Sequence, residues 1–453
     1  ENKRENHRRG IDMLHGSIAD QTSFFCHDQS AHGLFEQLFN SADVFLLGHF
    51  VGKSAMAAVG NNMPVIGILV MLLMGISWAN VTIAQYLGAR RDDKVERTVQ
   101  TAILMSFGLG ALLAVIGELI VYPAFWVLEV PPDVYDMAEQ YLRIFLLGLP
   151  FLSLYNFEAA IFRSCGDGKT PLYSLVAANI VNIVLDLLSV LVFDFGLAGV
   201  VWATVIAFAV NSLILLALLC RTTDRIRLER HHMRFSREEL HHIIRIGLPA
   251  GIQGMVFALS NVLIQSALNA WEQKHGGVGC GFIIEGNIYC FVNGFSQATT
   301  TFVGQNYGAR NLRRCFRITK VAFGVEAAFL LVVTVPVLFF SPELIRLFNG
   351  DPTRHLGDEA FFYVAGTFYL NGIIDIISGS LRGYGYSLPP AVVVLVGICG
   401  VRITWLYTVF AAHRDFLVLM AAYPASWLVT AIVLTFVYQS CRKHIVRGLL
   451  SER

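Results

Sequence analysis

The chain has 453 residues, of which 55% are hydrophobic and only 15% are charged, and its mean hydropathy is +0.57. A soluble protein of ordinary composition carries about 25% charged residues, so this composition excludes that class. The formal net charge of +1 gives no reason to expect a nucleic acid as a partner. The eight cysteines do not have metal-ligand spacing, so the sequence predicts no metal centre built on cysteine and no redox cofactor.

Apolar runs follow one another along almost the whole chain. A hydrocarbon core of ~30 Å is crossed by about 20 helical residues, and backbone groups in lipid must be hydrogen bonded internally, which favours helices. The sequence therefore predicts an all-α membrane protein with twelve transmembrane helices, the first of them atypical. The predicted helices are 34–51, 63–84, 99–122, 136–160, 171–193, 197–219, 245–270, 280–303, 318–340, 359–380, 388–411 and 416–438.

The helices are expected to fall into two lobes joined by a polar segment. Residues 221–243 are rich in Arg and His and are expected to include an amphipathic helix on the membrane surface. The predicted organisation is a polar N-terminal segment (1–33), an N-lobe with helices 1–6 (34–220), a cytoplasmic linker (221–243), a C-lobe with helices 7–12 (244–440) and a cytoplasmic tail (441–453).

Lys and Arg are concentrated in alternate predicted loops, so that one side of the membrane carries 27 of the 34. By the positive-inside rule this side is the cytoplasm. Both termini and the linker lie on it. We therefore expect a multi-pass protein of the plasma membrane with both termini in the cytoplasm.

Two polar signatures occur twice, in the same order. Residues 85–90 (QYLGAR) and 163–166 (RSCG) form the first copy, and residues 305–310 (QNYGAR) and 382–385 (RGYG) form the second. The offset is 220 residues at the first signature and 219 at the second. Because both copies lie on the cytoplasmic side, the repeat predicts two six-helix lobes related by a pseudo-twofold axis along the membrane normal, an architecture typical of transporters.

Further motifs lie in order over about residues 34–440. They are NSAD (40–43), GHFVG (48–52), AAVG (57–60), FRSCGD (162–167), NIVLD (182–186), GVVWAT (199–204), GLPAG (247–251) and GQNYGA (304–309). With these motifs the chain resembles the multidrug and toxic compound extrusion (MATE) family of secondary transporters. The resemblance implies a monomer of twelve helices in two lobes, with no enzymatic activity and no cofactor. It also implies export of organic cations or drugs by alternating access, in exchange for Na⁺ or H⁺.

One segment departs from the family. Residues 20–32 read DQTSFFCHDQSAH, where the family has an apolar, proline-containing first half of helix 1. Polar groups are costly in lipid. Two interpretations follow: a local lesion such as a frameshift, which would compromise activity, or a first helix that starts late and is held short by its neighbours.

Polar residues of three N-lobe helices lie at one depth. Asp43, Asp186 and Thr204 are each about 6–7 residues, or ~9–10 Å, from the outer end of their predicted helices, and Asn182 is one turn from Asp186. Their oxygens suit a small hard cation, and two nearby carboxylates can also hold a proton. One branch of the MATE family has a cation site of two Asp, one Asn and one Thr, which match these residues. A purely structural polar network is the alternative, but the repeat places Trp405 where the first lobe has Asp186, which favours a specialised site.

The predicted C-lobe set comprises Gln253, Glu285, Asp375 and Arg402. Glu285 and Arg402 lie at similar depth and could pair with each other, or Glu285 could contact substrate. The family places an acidic residue on the helix of Asp375, which implies a cation or substrate role. Gln253 could bind substrate in the cavity or join helices.

Two other functions remain open. A lipid-linked oligosaccharide flippase would share the two-lobe architecture, but it would need several cationic residues for a pyrophosphate, and the sequence places only Arg402 clearly within the membrane. An intramembrane enzyme is less favoured, because the histidines lie in polar segments and form no nucleophile–base pattern in the spans. The expected partners are organic cations and membrane lipid.

Overall fold

The computed structural model describes residues 11–78, 80–128, 130–229, 233–275, 280–339 and 366–451. Every regular element within these ranges is helical. Nine of the helices described there are long and apolar enough to span a membrane. The all-α class predicted from the apolar runs is confirmed.

The first part of the chain contains seven α-helices. Two of them continue into short π-helical turns, in which the backbone gains one residue per turn. In chain order they are α1 (Ile18–Leu46) with its π turn (Leu47–Val51), α2 (Lys53–Ser77), α3 (Asn80–Gly88), α4 (Asp92–Val127), α5 (Tyr135–Ser164), α6 (Lys169–Leu187) with its π turn (Leu188–Val192), and α7 (Gly196–Arg221).

The second part continues with long helices and ends in a segmented region. Its elements are α8 (Arg237–His275), α9 (Cys280–Gly308), α10 (Leu312–Phe339), α11 (Phe368–Gly383), α12 (Leu388–Val394), a π turn (Leu395–Gly400), α13 (Val401–Trp405), a second π turn (Leu406–Phe410), α14 (Phe416–Met420) and α15 (Ala422–Ser451).

The chain forms two compact units, each with its own apolar core. The N-terminal unit consists mainly of Ala31–Met255, and the C-terminal unit of Met13–Ser30 together with Val256–Arg453. The division therefore falls within α1 and within α8, so both of these helices contribute to both units.

The first helix begins at Ile18, well before the apolar run that starts at residue 34. The interpretation in which it starts late is therefore wrong. One face of its polar half is buried within protein: Thr22 is 0% exposed, and Phe25 packs edge-to-face on Phe302, with ring centroids 6.0 Å apart. Asp20, Ser23 and His27 lie on the opposite face and are exposed. The absence of a side chain at Gly294 lets α9 approach Ser30, because a Cβ there would lie 2.8 Å from the Ser30 hydroxyl. Protein contacts thus surround the buried face of this polar segment, which reduces the cost of its polar groups there.

The repeated signatures fold in the same way. Arg90 and Arg310 both adopt left-handed backbone conformations, with φ of 57° and 58°. The residue before each arginine makes the same hydrogen bond: the Ala89 N–H donates to the Gln85 carbonyl, and the Ala309 N–H donates to the Gln305 carbonyl. This is the αL cap that commonly ends a helix. Both Gly-Ala-Arg turns therefore end their helices with the same cap.

Within the N-terminal unit, α2 and α8 touch backbone to backbone. A Cβ on Gly75 would lie 2.3 Å from the Cα of Gly251, and one on Gly247 would lie 2.4 Å from the Ile76 carbonyl oxygen. Both Gly247 and Gly251 belong to the GLPAG motif. The contact explains why that motif needs glycine at these two positions.

In the predicted linker 221–243, the described residues 222–229 and 233–236 are turns and irregular chain, and residues 237–243 are helical as the first turns of α8, so no separate amphipathic helix is found among the described residues. Side chains of α4 instead hold the region around the start of α8. Lys94 Nζ donates to Glu238 at 2.9 Å, and the Thr98 hydroxyl donates to Glu239 at 3.1 Å. In the irregular chain before α8, the backbone N–H groups of Arg234 and Ser236 donate to the side-chain oxygens of Gln100 and Thr101, each at 3.1 Å, so these backbone groups are satisfied without a helix.

Candidate cation-binding site

Three helices of the N-terminal unit carry the predicted N-lobe site. Asp43 lies in the last turn of α1, Asn182 and Asp186 in the last turns of α6, and Thr204 in the third turn of α7. α6 and α7 are consecutive helices that pack on each other, and α7 also packs on α5. The fold thus brings together Asp43 and Asp186, which lie 143 positions apart in sequence.

Both carboxylates lie next to π-helical turns. The turn Leu47–Val51 begins four residues after Asp43, and the turn Leu188–Val192 begins two residues after Asp186. Such turns frequently occur at functional sites, because the extra residue redirects the neighbouring side chains. The two turns also contact each other. The ends of α1 and α6 therefore meet beside the two carboxyl groups.

The carboxyl groups of Asp43 and Asp186 lie close enough to interact directly. Asp186 is fully buried, and neither of its oxygens has a hydrogen-bond partner among the described residues. The Oδ1 atom of Asp43 is also buried and without a partner there. Ionised carboxylates only accept hydrogen bonds, so a shared proton or a bound cation is needed to join the two groups.

The neutral members of the set can supply further ligands. Asn182 is 4% exposed, and within the described structure its side-chain nitrogen has no hydrogen-bond partner. The Thr204 hydroxyl donates to the Val200 carbonyl at 3.1 Å, which leaves its oxygen free to accept or to coordinate. Carboxylate, amide and hydroxyl oxygens are the ligands of hard cations. The set could therefore hold Na⁺, or a proton between the carboxylates.

Two residues that the sequence analysis did not single out belong to the same region. Tyr141 in α5 is buried and interacts electrostatically with both Asp43 and Asp186. Asn62 in α2 donates to the Ala138 carbonyl at 2.9 Å, one helical turn before Tyr141. One tyrosine among 15 gives no sequence signal of its own, so only the packing of α5 identifies it.

The C-lobe residues do not form one constellation. Arg402 is 1% exposed, and its guanidinium donates to Asn261 Oδ1 at 2.8 Å and to the Ser426 hydroxyl at 3.2 Å. It also lies 4.3 Å from the centroid of the Tyr423 ring. The side chain of Glu285, its predicted partner, lies outside the described residues. Arg402 thus joins helices of the C-terminal unit.

Asp375 and Gln253 lie in different units. Asp375 in α11 interacts electrostatically with Arg382, which is 6% exposed although the sequence analysis counted it among the cytoplasmic charges. Gln253 is partly buried in the segment of α8 that belongs to the N-terminal unit. The three members of the predicted C-lobe set whose side chains are described therefore lie in separate surroundings: Asp375 near Arg382, Arg402 among Asn261, Ser426 and Tyr423, and Gln253 in the N-terminal unit.

The sequence model of the MatE family matches residues 30–188 and again residues 249–408. The chain belongs to the MatE family. The two matched stretches each contain one copy of the repeated signatures. The resemblance predicted from the motifs is thereby confirmed.

Curated relatives of this MatE protein are named as multidrug resistance proteins or as a transporter. It is 26% identical over 405 residues to the probable multidrug resistance protein YoeA of Bacillus subtilis (strain 168), which covers 87% of each chain. It is 26% identical to the probable multidrug resistance protein NorM of Thermotoga maritima, over 82% of this chain and 81% of that protein. A FAD transporter of Shewanella oneidensis is 25% identical over 69% of this chain and 71% of its own length.

Solved structures show the same fold. An outward-facing multidrug resistance MATE family transporter of the MOP superfamily superposes with a TM-score of 0.88 at 20% identity, over 97% of this chain and 99% of that one. A MOP superfamily transporter from Pyrococcus furiosus, described as having a binding pocket of reverse polarity, gives 0.88 at 21% identity over 96% and 98%. The predicted class of a twelve-helix membrane protein with two lobes is confirmed.

Proposed function

We propose that this MatE protein is a cation-coupled antiporter that exports organic cations, including drugs, in exchange for Na⁺ or H⁺. Asp43, Asn182, Asp186 and Thr204 form its coupling-ion site. One observation carries the proposal: Asp186, which is fully buried, lies beside the partly buried Asp43, and three of their four carboxyl oxygens are buried without a hydrogen-bond partner among the described residues. Such groups are costly unless a positive charge neutralises them.

Neutralisation changes the forces on α1. While Asp43 and Asp186 are both ionised, they repel each other, and the end of α1 is pushed away from α6. A bound Na⁺ or a proton turns this repulsion into attraction and draws the helix ends together. Substrate binding then has to favour the other arrangement, since antiport requires opposite preferences of ion and substrate between two states. α1 is the movable element in this alternating-access scheme.

The relatives support the direction and the substrate class. YoeA and NorM are named as probable multidrug resistance proteins, which indicates export. One relative is named an FAD transporter, so a flavin dinucleotide is a second candidate substrate. The flippase alternative has less support, because buried Arg402 already bonds Asn261 and Ser426. We further place the protein as a multi-pass monomer in the plasma membrane, with both termini in the cytoplasm.

Reconstitution tests this proposal. Purified protein in liposomes is given an ethidium load and then a Na⁺ gradient or a pH gradient, one at a time. We expect one gradient, or both, to drive ethidium against its own concentration gradient, and ionophores that collapse the gradient to stop it. Transport that ignores both gradients would refute antiport. Transport of FAD without transport of ethidium would refute organic cations as the substrate class, but it would not contradict the proposed coupling-ion site.

A further inference from the structure

A cavity of about 690 Å³ lies in the N-terminal unit, between the end of α4 and the start of α5. Small-molecule sites in proteins usually have volumes of about 300–1,000 Å³. Four of its six lining residues are aromatic, and the set is Tyr122, Phe125, Trp126, Val127, Val130 and Tyr135. The walls of the cavity therefore consist mainly of aromatic rings.

Contacts between α4 and α5 hold these rings in place. Phe125 is 2% exposed and packs edge-to-face on Tyr135, with ring centroids 5.3 Å apart. The Tyr122 hydroxyl donates to Glu139 at 3.1 Å and accepts from Arg143 at 2.9 Å. Because the ring positions are fixed by the protein itself, a ligand does not have to order them, which lowers the cost of binding.

The surroundings of the cavity are acidic. Residues 118–143 contain one base, Arg143, and five acids: Glu118, Glu129, Asp133, Asp136 and Glu139. Arg143 lies 3.3 Å from Glu118 and 2.9 Å from Glu139, so one guanidinium serves two carboxylates. The last carbonyl groups of α4 add partial negative charge, since the helix ends at Val127. The charge around the cavity therefore favours a cationic ligand.

Aromatic walls and negative charge together select the kind of cation. A cation over the face of Trp, Tyr or Phe is attracted by the ring, and aromatic cages recognise organic ammonium groups in this way. The protein already contains one such contact, because the Arg143 guanidinium lies 5.5 Å from the centroid of the Tyr122 ring. A hard metal ion would instead need about six oxygen ligands. An organic ammonium group is thus the ligand that fits these walls.

The position of the cavity favours a lipid as the source of this group. In the predicted topology, the turn between α4 and α5 lies on the outer side of the membrane. One face of α4 leads to the cavity at spacings of three and four residues: Leu112, Val115, Leu119, Tyr122 and Trp126. Each of these side chains is more than half exposed. An acyl chain can lie along this apolar face, and Tyr and Trp at its end mark the level of the head groups.

We propose that this cavity binds the ammonium head group of an outer-leaflet phospholipid, such as phosphatidylcholine or phosphatidylethanolamine. The rings of Tyr122 and Trp126 contact the ammonium group, and Glu118 and Glu139 supply the balancing negative charge. An acyl chain of the same lipid lies along the exposed face of α4. This binding does not depend on the proposed antiport function, because it uses none of the coupling-site residues.

Native mass spectrometry of the purified full chain, incubated with phosphatidylcholine or with phosphatidylglycerol, tests the proposal. Trp126→Leu keeps an apolar side chain but loses the ring, and Trp126 is 82% exposed, so this variant should fold. We expect it to bind phosphatidylcholine roughly three- to tenfold more weakly than wild type. Binding of phosphatidylglycerol, which cytoplasmic Lys and Arg attract, should not change. Equal binding of phosphatidylcholine by the two proteins would overturn the proposal.

Phe193→Leu is the matched control. Phe193 is 57% exposed at another turn of the predicted outer side, and it stacks on Phe195 with centroids 5.5 Å apart. This variant should bind phosphatidylcholine as wild type does. A loss equal to that of Trp126→Leu would show that any interfacial ring suffices, and it would overturn the assignment to the cavity.

Two variants of Tyr122 repeat the test at a second ring. Tyr122→Phe keeps the ring and should keep phosphatidylcholine, whereas Tyr122→Leu should lose it. Equal binding by these two variants would contradict recognition by ring faces. Calorimetry with tetraethylammonium distinguishes a free organic cation from a lipid. If wild type binds tetraethylammonium and Trp126→Leu does not, while both bind phosphatidylcholine equally, the lipid is refuted as the ligand.

Discussion

Substituting Asp186 by Asn removes one negative charge from the candidate coupling site and changes almost nothing else. The side chains have the same shape, and the carboxyl oxygens have no hydrogen bonds among the described residues to lose. Asp186 is 0% exposed. The variant should therefore fold as well as wild type, or better, because the repulsion with Asp43 disappears. Thermal unfolding in detergent measures this.

The loss of ion binding can be sized from Coulomb's law. A unit positive charge ~4 Å from a carboxylate gains about 4 kcal/mol at an effective dielectric constant of about 20. Each 1.4 kcal/mol is about a factor of ten in affinity, so Asp186→Asn should weaken binding of the coupling ion roughly a thousandfold. At ordinary gradients, ethidium efflux from proteoliposomes should then fall to background.

Asp194→Asn is the matched control. Asp194 lies eight residues further along, is exposed, and has a left-handed φ of 53°, which Asn tolerates as well as Asp. It should transport at the wild-type rate. Efflux by Asp186→Asn within a few-fold of this control, at equal protein in the liposomes, would refute the reasoning.

Four further variants test the packing by thermal unfolding. Gly251→Leu should destabilise the protein by about 1–3 kcal/mol or more, because α2 leaves no space for a side chain there. Gly324→Ala should be neutral or stabilise the protein by up to ~1 kcal/mol, because nothing lies within 4 Å of the added Cβ. Equal effects of the two substitutions would contradict the close contact between α2 and α8. Arg402→Met should lower stability by about 2–4 kcal/mol through the lost bond to Asn261 and the lost ring contact, and an unchanged midpoint would show that the network is dispensable. Lys94→Ala should cost at most about 1 kcal/mol, because its ion-pair partner is 61% exposed, and a larger loss would show a structural role for the linker.

Sequence patterns predicted the parts of the fold that depend on local chemistry. Long apolar runs identified most helices, since hydrophobic length alone decides whether a helix can cross a bilayer. The repeated signatures predicted turns that the structure shows at Arg90 and Arg310. Depth along the predicted helices placed Asp43 and Asp186 at one level, and the structure brings their carboxyl groups together where the π turns that follow α1 and α6 touch.

Other features depend on contacts between distant segments. By its hydropathy, the polar start of α1 was judged unsuited to a membrane helix. Hydropathy describes transfer into lipid and contains no information on burial against protein, such as the contact of Phe25 with Phe302. Glu326 carries the same signal as Asp43, an acid inside an apolar run, but only the packing of α10 on α11 shows the carboxyl of Asp375 beside it. Tyr141 carries no sequence signal at all.

The central claim is that Asp43 and Asp186 hold a coupling cation. Its most direct test is to count ions bound at equilibrium by purified protein, with radioactive Na⁺ for sodium and an indicator titration for protons, in wild type and Asp186→Asn. We predict that the wild type binds at least one Na⁺ or H⁺ that the variant does not, and that Asp194→Asn binds it normally. Equal binding of both ions by wild type and Asp186→Asn would contradict the claim.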